Sequence, residues 1–189
     1  MKLTIQPNGR EELILIEGAD NADIIPGTKF FRNFSGMEKK DKKGKVVNSE
    51  GRRNFCLALN LPVEALDQLA NLGIEIVELQ SNNDEYDDQP LRFVRIQISE
   101  NGRGAAHLYL MNEEKRKKKE IFGKQINLLD SSRFSRAELV IRTWHKEDGK
   151  TSLYLNNGFF WLQQDAVTSK FADYEDMIVG EDEGEELPF

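Results

Sequence analysis

Leu91-Arg92-Phe93-Val94-Arg95-Ile96-Gln97-Ile98-Ser99 alternates between apolar and polar side chains. A period of two marks a half-buried β-strand. Val94, Ile96 and Ile98 would face a core, and Phe93, Arg95 and Gln97 would face away. Residues 105–111 repeat the pattern, with Leu108 and Leu110 on one side and His107 and Tyr109 on the other. Further on, the β-rich runs 137–146 and 151–163 flank Glu147-Asp148-Gly149-Lys150, and Asp-Gly between such runs predicts a hairpin. The second run carries a breaking signal at Asn156-Asn157-Gly158. Upstream, residues 12–17, 28–34, 52–60 and 74–79 read as further short strands. One helix is well marked: Asn60 or Leu61 can cap it, Pro62 suits its first turn, Leu66, Leu69 and Ala70 keep helical spacing, and Gly73 stops it. Long polar segments separate these elements: the lysine-rich 35–51, the run 80–89, and the charge block 112–120, which reads as helix or loop. The pattern predicts a mainly β fold, an OB-type small barrel with one helix and long basic loops.

The chain of 189 residues is long enough to bury a substantial core, and 39% hydrophobic with 31% charged residues fits a soluble globular protein. No apolar run approaches the ~18 residues that span a membrane, and the N-terminal segment does not resemble a signal peptide. A single cysteine, Cys56, excludes an internal disulfide framework. The expected location is a cytoplasm.

The net charge is −7, but its distribution is uneven. Eight acids and no base lie between Ala172 and Phe189, which leaves the body at +1. Four more acids, Asp84, Glu85, Asp87 and Asp88, cluster in the 80–89 run. The chain is therefore expected to divide into a folded domain, residues 1–171, and an acidic disordered tail, residues 172–189, with too little apolar surface to fold.

On the body, aromatic residues interleave with bases. Lys29-Phe30-Phe31-Arg32-Asn33-Phe34 is followed by Arg52-Arg53-Asn54-Phe55, and residues 28–53 carry nine bases against three acids. Cations follow phosphates and flat rings stack on bases of any identity, which is the combination that single-strand binding requires. The candidate contacts are Lys29, Phe31, Arg32, Arg52 and Arg53, together with Phe93, Arg95, Tyr109 and Trp144, whose alternate neighbours already supply an apolar face. A competing role for any one phenylalanine is the core. The block Lys115-Arg116-Lys117-Lys118-Lys119 would attract polyanions, and Lys115, Arg116 and Lys117 join the candidates. In the tail, Asp182, Glu183, Glu185 and Glu186 lead to Leu187-Pro188-Phe189, where a stiffened backbone sets an aromatic anchor beside the α-carboxylate. That end suits a basic-rimmed apolar pocket on another protein.

The tail resembles that of bacterial and phage single-stranded DNA-binding proteins, in which acidic residues lead to a terminal Pro-Phe. The segments Gly27–Gly36, Glu50–Leu59 and Leu153–Leu162 resemble phage-encoded members with an OB fold. The resemblance implies sequence-independent binding of single-stranded DNA in replication or recombination, with replication or recombination proteins docking on the tail. The lysine-rich stretch 37–47 departs from that family pattern.

Little supports catalysis. Cys56, His107 and His145 are scattered, without ligand pairs at zinc spacing. The Asp84–Asp88 cluster could hold magnesium only in a nuclease reading. Gly102-Arg103-Gly104 is too short for a phosphate-cradling loop. No cofactor and no metal are expected. The alternatives are an RNA-binding OB-fold protein, a metal-dependent nuclease and a protein–protein adaptor; a homo-oligomer is compatible with all of these.

Overall fold

The computed structural model describes residues 1–27, 31–80, 90–112 and 117–163. Its strands are β1 (Lys2–Asn8), β2 (Glu11–Ala19), β3 (Arg32–Asn33), β4 (Lys39–Lys40), β5 (Val46–Asn48), β6 (Arg53–Ala58), β7 (Val77–Leu79), β8 (Leu91–Ile98), β9 (His107–Asn112), β10 (Lys117–Ile121), β11 (Phe134–His145) and β12 (Thr151–Leu162). One α-helix, α1 (Val63–Asn71), lies between β6 and β7. Ten strands form one sheet along the path β1-β2-β11-β12-β8-β6-β3, with β7 added to β8, β9 to β12 and β10 to β9; β4 and β5 pair separately. The mainly β expectation holds, but the sheet is not closed into a barrel: among the described residues β1 pairs only with β2, and β3 only with β6. Beyond β3 the chain is held by a 3-10 helix, Gly123–Asp130, rather than by another strand. The Asp130 carboxylate accepts the backbone N–H groups of Phe34 and Ser35 at 2.6 and 3.0 Å.

Alternation places the core as the sequence predicts. Val94, Ile96 and Ile98 are buried on one face of β8, where they meet Phe55 and Leu57 of β6, Leu153 and Leu155 of β12, and Leu139 and Ile141 of β11. Each such side chain contributes roughly 1.5–3 kcal/mol on burial. The helix packs Leu66 and Leu69 into this core and ends as expected at Gly73, whose φ of 74° suits glycine. Gly73 also has to be small. A Cβ there would stand 2.4 Å from the carbonyl oxygen of Gly149, in the turn between β11 and β12.

Four local expectations change. The 112–120 block is neither helix nor loop at its end: β10 pairs antiparallel with β9, Lys118 opposite Met111 and Glu120 opposite Tyr109. Among the described residues of the run 28–34 the strand is the two-residue β3, and 35–51 contains the small β4–β5 hairpin. The 3-10 helix at 123–130 had no strong sequence signal, yet Ile126, Leu128 and Leu129 are buried. Finally, β12 does not break at Asn156-Asn157-Gly158 but continues through it.

Candidate nucleic-acid interface

The site begins with that continuity. On β12, Leu155 pairs with Ile141 and Asn157 with Val140, so Asn156 is an extra residue opposite an uninterrupted β11. A bulge of this kind puts two successive residues on one side and reverses the parity beyond it. Buried positions are therefore Leu153 and Leu155 before the bulge and Gly158 and Phe160 after it. Tyr154, Phe159 and Trp161 all come to the opposite, partly exposed side. From Tyr154 to Trp161 they span eight positions of one strand, about 23 Å over seven steps at the usual rise.

Neighbouring strands give each of these rings a partner. β9 runs parallel to β12 and places Tyr109 opposite Phe159; the rings stack at 5.2 Å between centroids and 12° between planes. Lys118 Nζ, from β10, lies 5.5 Å from the centroid of Tyr109. From β11, the Arg136 guanidinium lies 4.8 Å from the centroid of Trp161, and that of Arg142 lies 5.6 Å from that of Tyr154. Arg136 also meets Glu138, so its charge is partly compensated. Trp144, opposite Ser152 on the same face of β11, is 54% exposed. On β8 the same face carries Gln97, opposite Tyr154, and the exposed Arg95. The result is a surface on which rings and cations alternate, the arrangement that takes stacked bases and phosphates together.

Toward β6 this face is covered. Cys56 pairs with Arg95 across the ladder and, with Ile25, Ala58 and Phe93, forms a second small apolar cluster. Burial pushes the Cys56 thiol up, against the opposing pull of Arg95 and Lys39. Lys39, on the β4–β5 hairpin, is lowered first by burial and then by the like charge of Arg95. Two cations thus converge at the edge of the aromatic surface, a concentration of positive charge that an anion would relieve.

The family model described as "Putative phage ssDNA-binding domain" matches residues 18–184. The chain belongs to this family. Single-stranded DNA is accordingly its partner. No curated protein and no solved structure matches it.

In this phage ssDNA-binding domain the residues expected from sequence separate into groups. Arg95, Tyr109 and Trp144 lie on the aromatic surface, and Lys117 lies on β10 beside it. Phe93 does not serve as an exposed platform: it is 1% exposed, in the second cluster, because residues around Ile25 and Phe31 cover that end of the face. Phe31 is half-buried and meets the Phe93 ring edge-on at 5.7 Å. Arg32 is 2% exposed, and its guanidinium is spent on the backbone. It donates to the carbonyls of Ile24 (3.0 Å) and Ser132 (2.7 Å) and to Asn21 Oδ1 (2.8 Å). Burial lowers its pKa to about 10, with Asp130 opposing. Arg53 is likewise a strut, paired with Glu100 at 2.7 Å and donating to Gly123 O and Asn127 Oδ1. Both expected DNA contacts thus have their guanidinium groups engaged by the fold. Arg52 is exposed. Lys29, Lys115, Arg116, the Asp84–Asp88 cluster and the partner-binding tail residues Asp182, Glu183, Glu185, Glu186, Leu187, Pro188 and Phe189 lie outside the described residues.

Sequence reading missed Tyr154, Phe159, Trp161, Arg136 and Arg142. Strict alternation from Leu153 sends Phe159 and Trp161 into the core. The signal that would have found them is Asn156-Asn157-Gly158, a bulge signature rather than a break. Among the described residues no group of three or more His, Cys, Asp or Glu side chains could hold a metal, and no helix is long and apolar enough to cross a membrane.

Proposed function

We propose that this domain binds single-stranded DNA across the β9–β12 face without reading its sequence, in phage DNA replication or recombination. The acidic tail recruits partner proteins, and the chain carries out no catalysis of its own. The observation that supports this most is the placement of Tyr109, Tyr154, Phe159 and Trp161 on one face, with Lys118, Arg142 and Arg136 each at one of their rings. Rings accept any base, and cations accept any phosphate, so the surface discriminates by strand state rather than by sequence. A duplex hides its base faces in the stack and can offer only its phosphates.

The test is a salt titration of binding to single-stranded and duplex oligonucleotides of matched length, with an RNA arm. Single strands should bind more tightly at every salt concentration. The log–log salt slope should be about −0.7 per phosphate neutralised. Equal affinity for duplex and single strand throughout would remove stacking from the mechanism, and stronger binding of RNA would reassign the ligand. Incubation of labelled DNA with the full chain and magnesium should leave it uncut; metal-dependent cleavage would point to the 84–88 acids instead.

A further inference from the structure

The break between β8 and β9 is where the sheet face acquires a feature that sequence reading dismissed. β12 pairs in parallel with β8 at Leu153 and Tyr154, and then with β9 from Asn157 to Trp161. The connection between those strands, Gly102-Arg103-Gly104-Ala105-Ala106, is tied back by Ala105 N–H to Gly102 O at 3.1 Å and Ala106 N–H to Ser99 O at 2.7 Å. Arg142 reaches it from β11, passing the ring of Tyr154, and its Nη2 donates to Gly104 O at 3.0 Å.

The two glycines serve different ends. Gly102 has a φ of 81°, so its conformation suits glycine, and a Cβ there would meet nothing within 4 Å. Gly104 has no left-handed φ, yet a Cβ there would stand 1.9 Å from Arg142 Nη2, 2.5 Å from Cζ and 2.7 Å from Nη1. The guanidinium occupies the volume that a side chain at 104 would take. Apart from the buried Arg32, Arg142 also differs from the other fixed arginines. Arg53, Arg92 and Arg136 each meet a carboxylate. Arg142 is held by a neutral carbonyl, and among the described residues no carboxylate pairs with it. A cation fixed in place but not neutralised keeps its charge for an incoming phosphate and loses little side-chain entropy in meeting it.

We propose that Gly104 is a positioning residue for DNA binding: it forms the seat that holds the Arg142 guanidinium beside Tyr154 as a preset phosphate contact. The inference rests on the reading of the β9–β12 face as the DNA surface. It is tested with Gly104→Ala, Arg142→Ala, the double variant and Tyr154→Ala in the full chain, measuring affinity for a single-stranded oligodeoxynucleotide, its salt slope and the melting temperature. Arg142→Ala should weaken binding about tenfold and make the salt slope shallower by about 0.7. Gly104→Ala should reproduce both effects by displacing the guanidinium, and the double variant should bind no more weakly than Arg142→Ala. Normal binding by Gly104→Ala, beside a loss in Arg142→Ala, would overturn the seat while leaving the surface intact. Additive losses would do the same. The double variant is the folding control, since the atoms that Cβ would strike are then gone. If it unfolds while Arg142→Ala does not, the glycine serves the turn and the proposal fails. If neither Arg142→Ala nor Tyr154→Ala changes binding, the surface itself is misplaced and this inference falls with it.

Discussion

Single side chains of similar composition have opposite roles in this domain, and what covers them decides which. Phe93 and Phe159 are both phenylalanines on the same side of the sheet. One is sealed by Ile25 and Phe31 and the other stacks on Tyr109 at a partly open surface. Their alanine variants should separate cleanly. Phe93→Ala removes a fully buried ring and should cost about 3–5 kcal/mol of stability, read as a lower denaturation midpoint. Tyr109→Ala, Phe159→Ala and Trp161→Ala should each weaken oligonucleotide binding by roughly 1–3 kcal/mol per base that loses its platform, with little change in the midpoint. Folded variants at all three positions that bind normally would show that DNA follows another path. The arginines divide in the same way. Arg32 is surrounded by carbonyls that it satisfies, so its removal would leave buried acceptors unpaired, whereas Arg95 is exposed on the aromatic side of β8.

At the level of elements, the β12 bulge orients the surface. Deleting Asn156 removes the residue that has no opposite number on β11, so strict alternation should return with the same facing, Leu155, Gly158 and Phe160 inward and Phe159 and Trp161 outward. The deletion variant should therefore stay folded and keep its DNA affinity; a thermal melt and an oligonucleotide titration measure the two. A deletion variant that unfolds or loses DNA binding would mean that Asn156 does more than fill the bulge. This element also shows why the sequence revealed much of the fold and less of the site. Strands with regular alternation, such as β8 and β9, announced their inner and outer faces. So did the Asp-Gly hairpin joining β11 and β12, and the helix bounded by Pro62 and Gly73. Parity beyond a bulge depends on pairing with another strand, and local pattern does not carry that. The burial of Phe93 and Arg32 likewise depends on the segment around Ile25, distant in sequence from Phe93 and recruited by tertiary packing. β10 was obscured because lysines can sit in an edge strand as readily as in a loop.

For the whole molecule, charge is the controlling quantity. The body is close to neutral overall at +1, while eight acids crowd the last eighteen residues. Cations at Lys118, Arg136, Arg142 and Arg95 give the aromatic face a local excess that the net charge conceals. An acidic segment on the same chain is present at high effective concentration, so under the proposed function it should compete with DNA for that face. Deleting residues 172–189 should therefore tighten DNA binding at low salt, and the gain should fade as the Debye length shrinks below about 10 Å. The tip acts by different chemistry. Leu187, Pro188 and Phe189 carry no side-chain charge and offer an apolar anchor beside the terminal carboxylate, so Phe189→Ala should leave DNA affinity almost unchanged and weaken capture of replication proteins. Under the proposed function, DNA that occupies the basic face should displace the acids and free the tip, which would couple recruitment to coated strands. Oligonucleotide affinity across a salt series and pull-down with and without DNA, for the full chain, the truncation and the point variant, measure each part. If the truncation binds DNA no more tightly at low salt, the acids do not contact the face; if Phe189→Ala retains every partner of the full chain, the terminal residues are not the docking element.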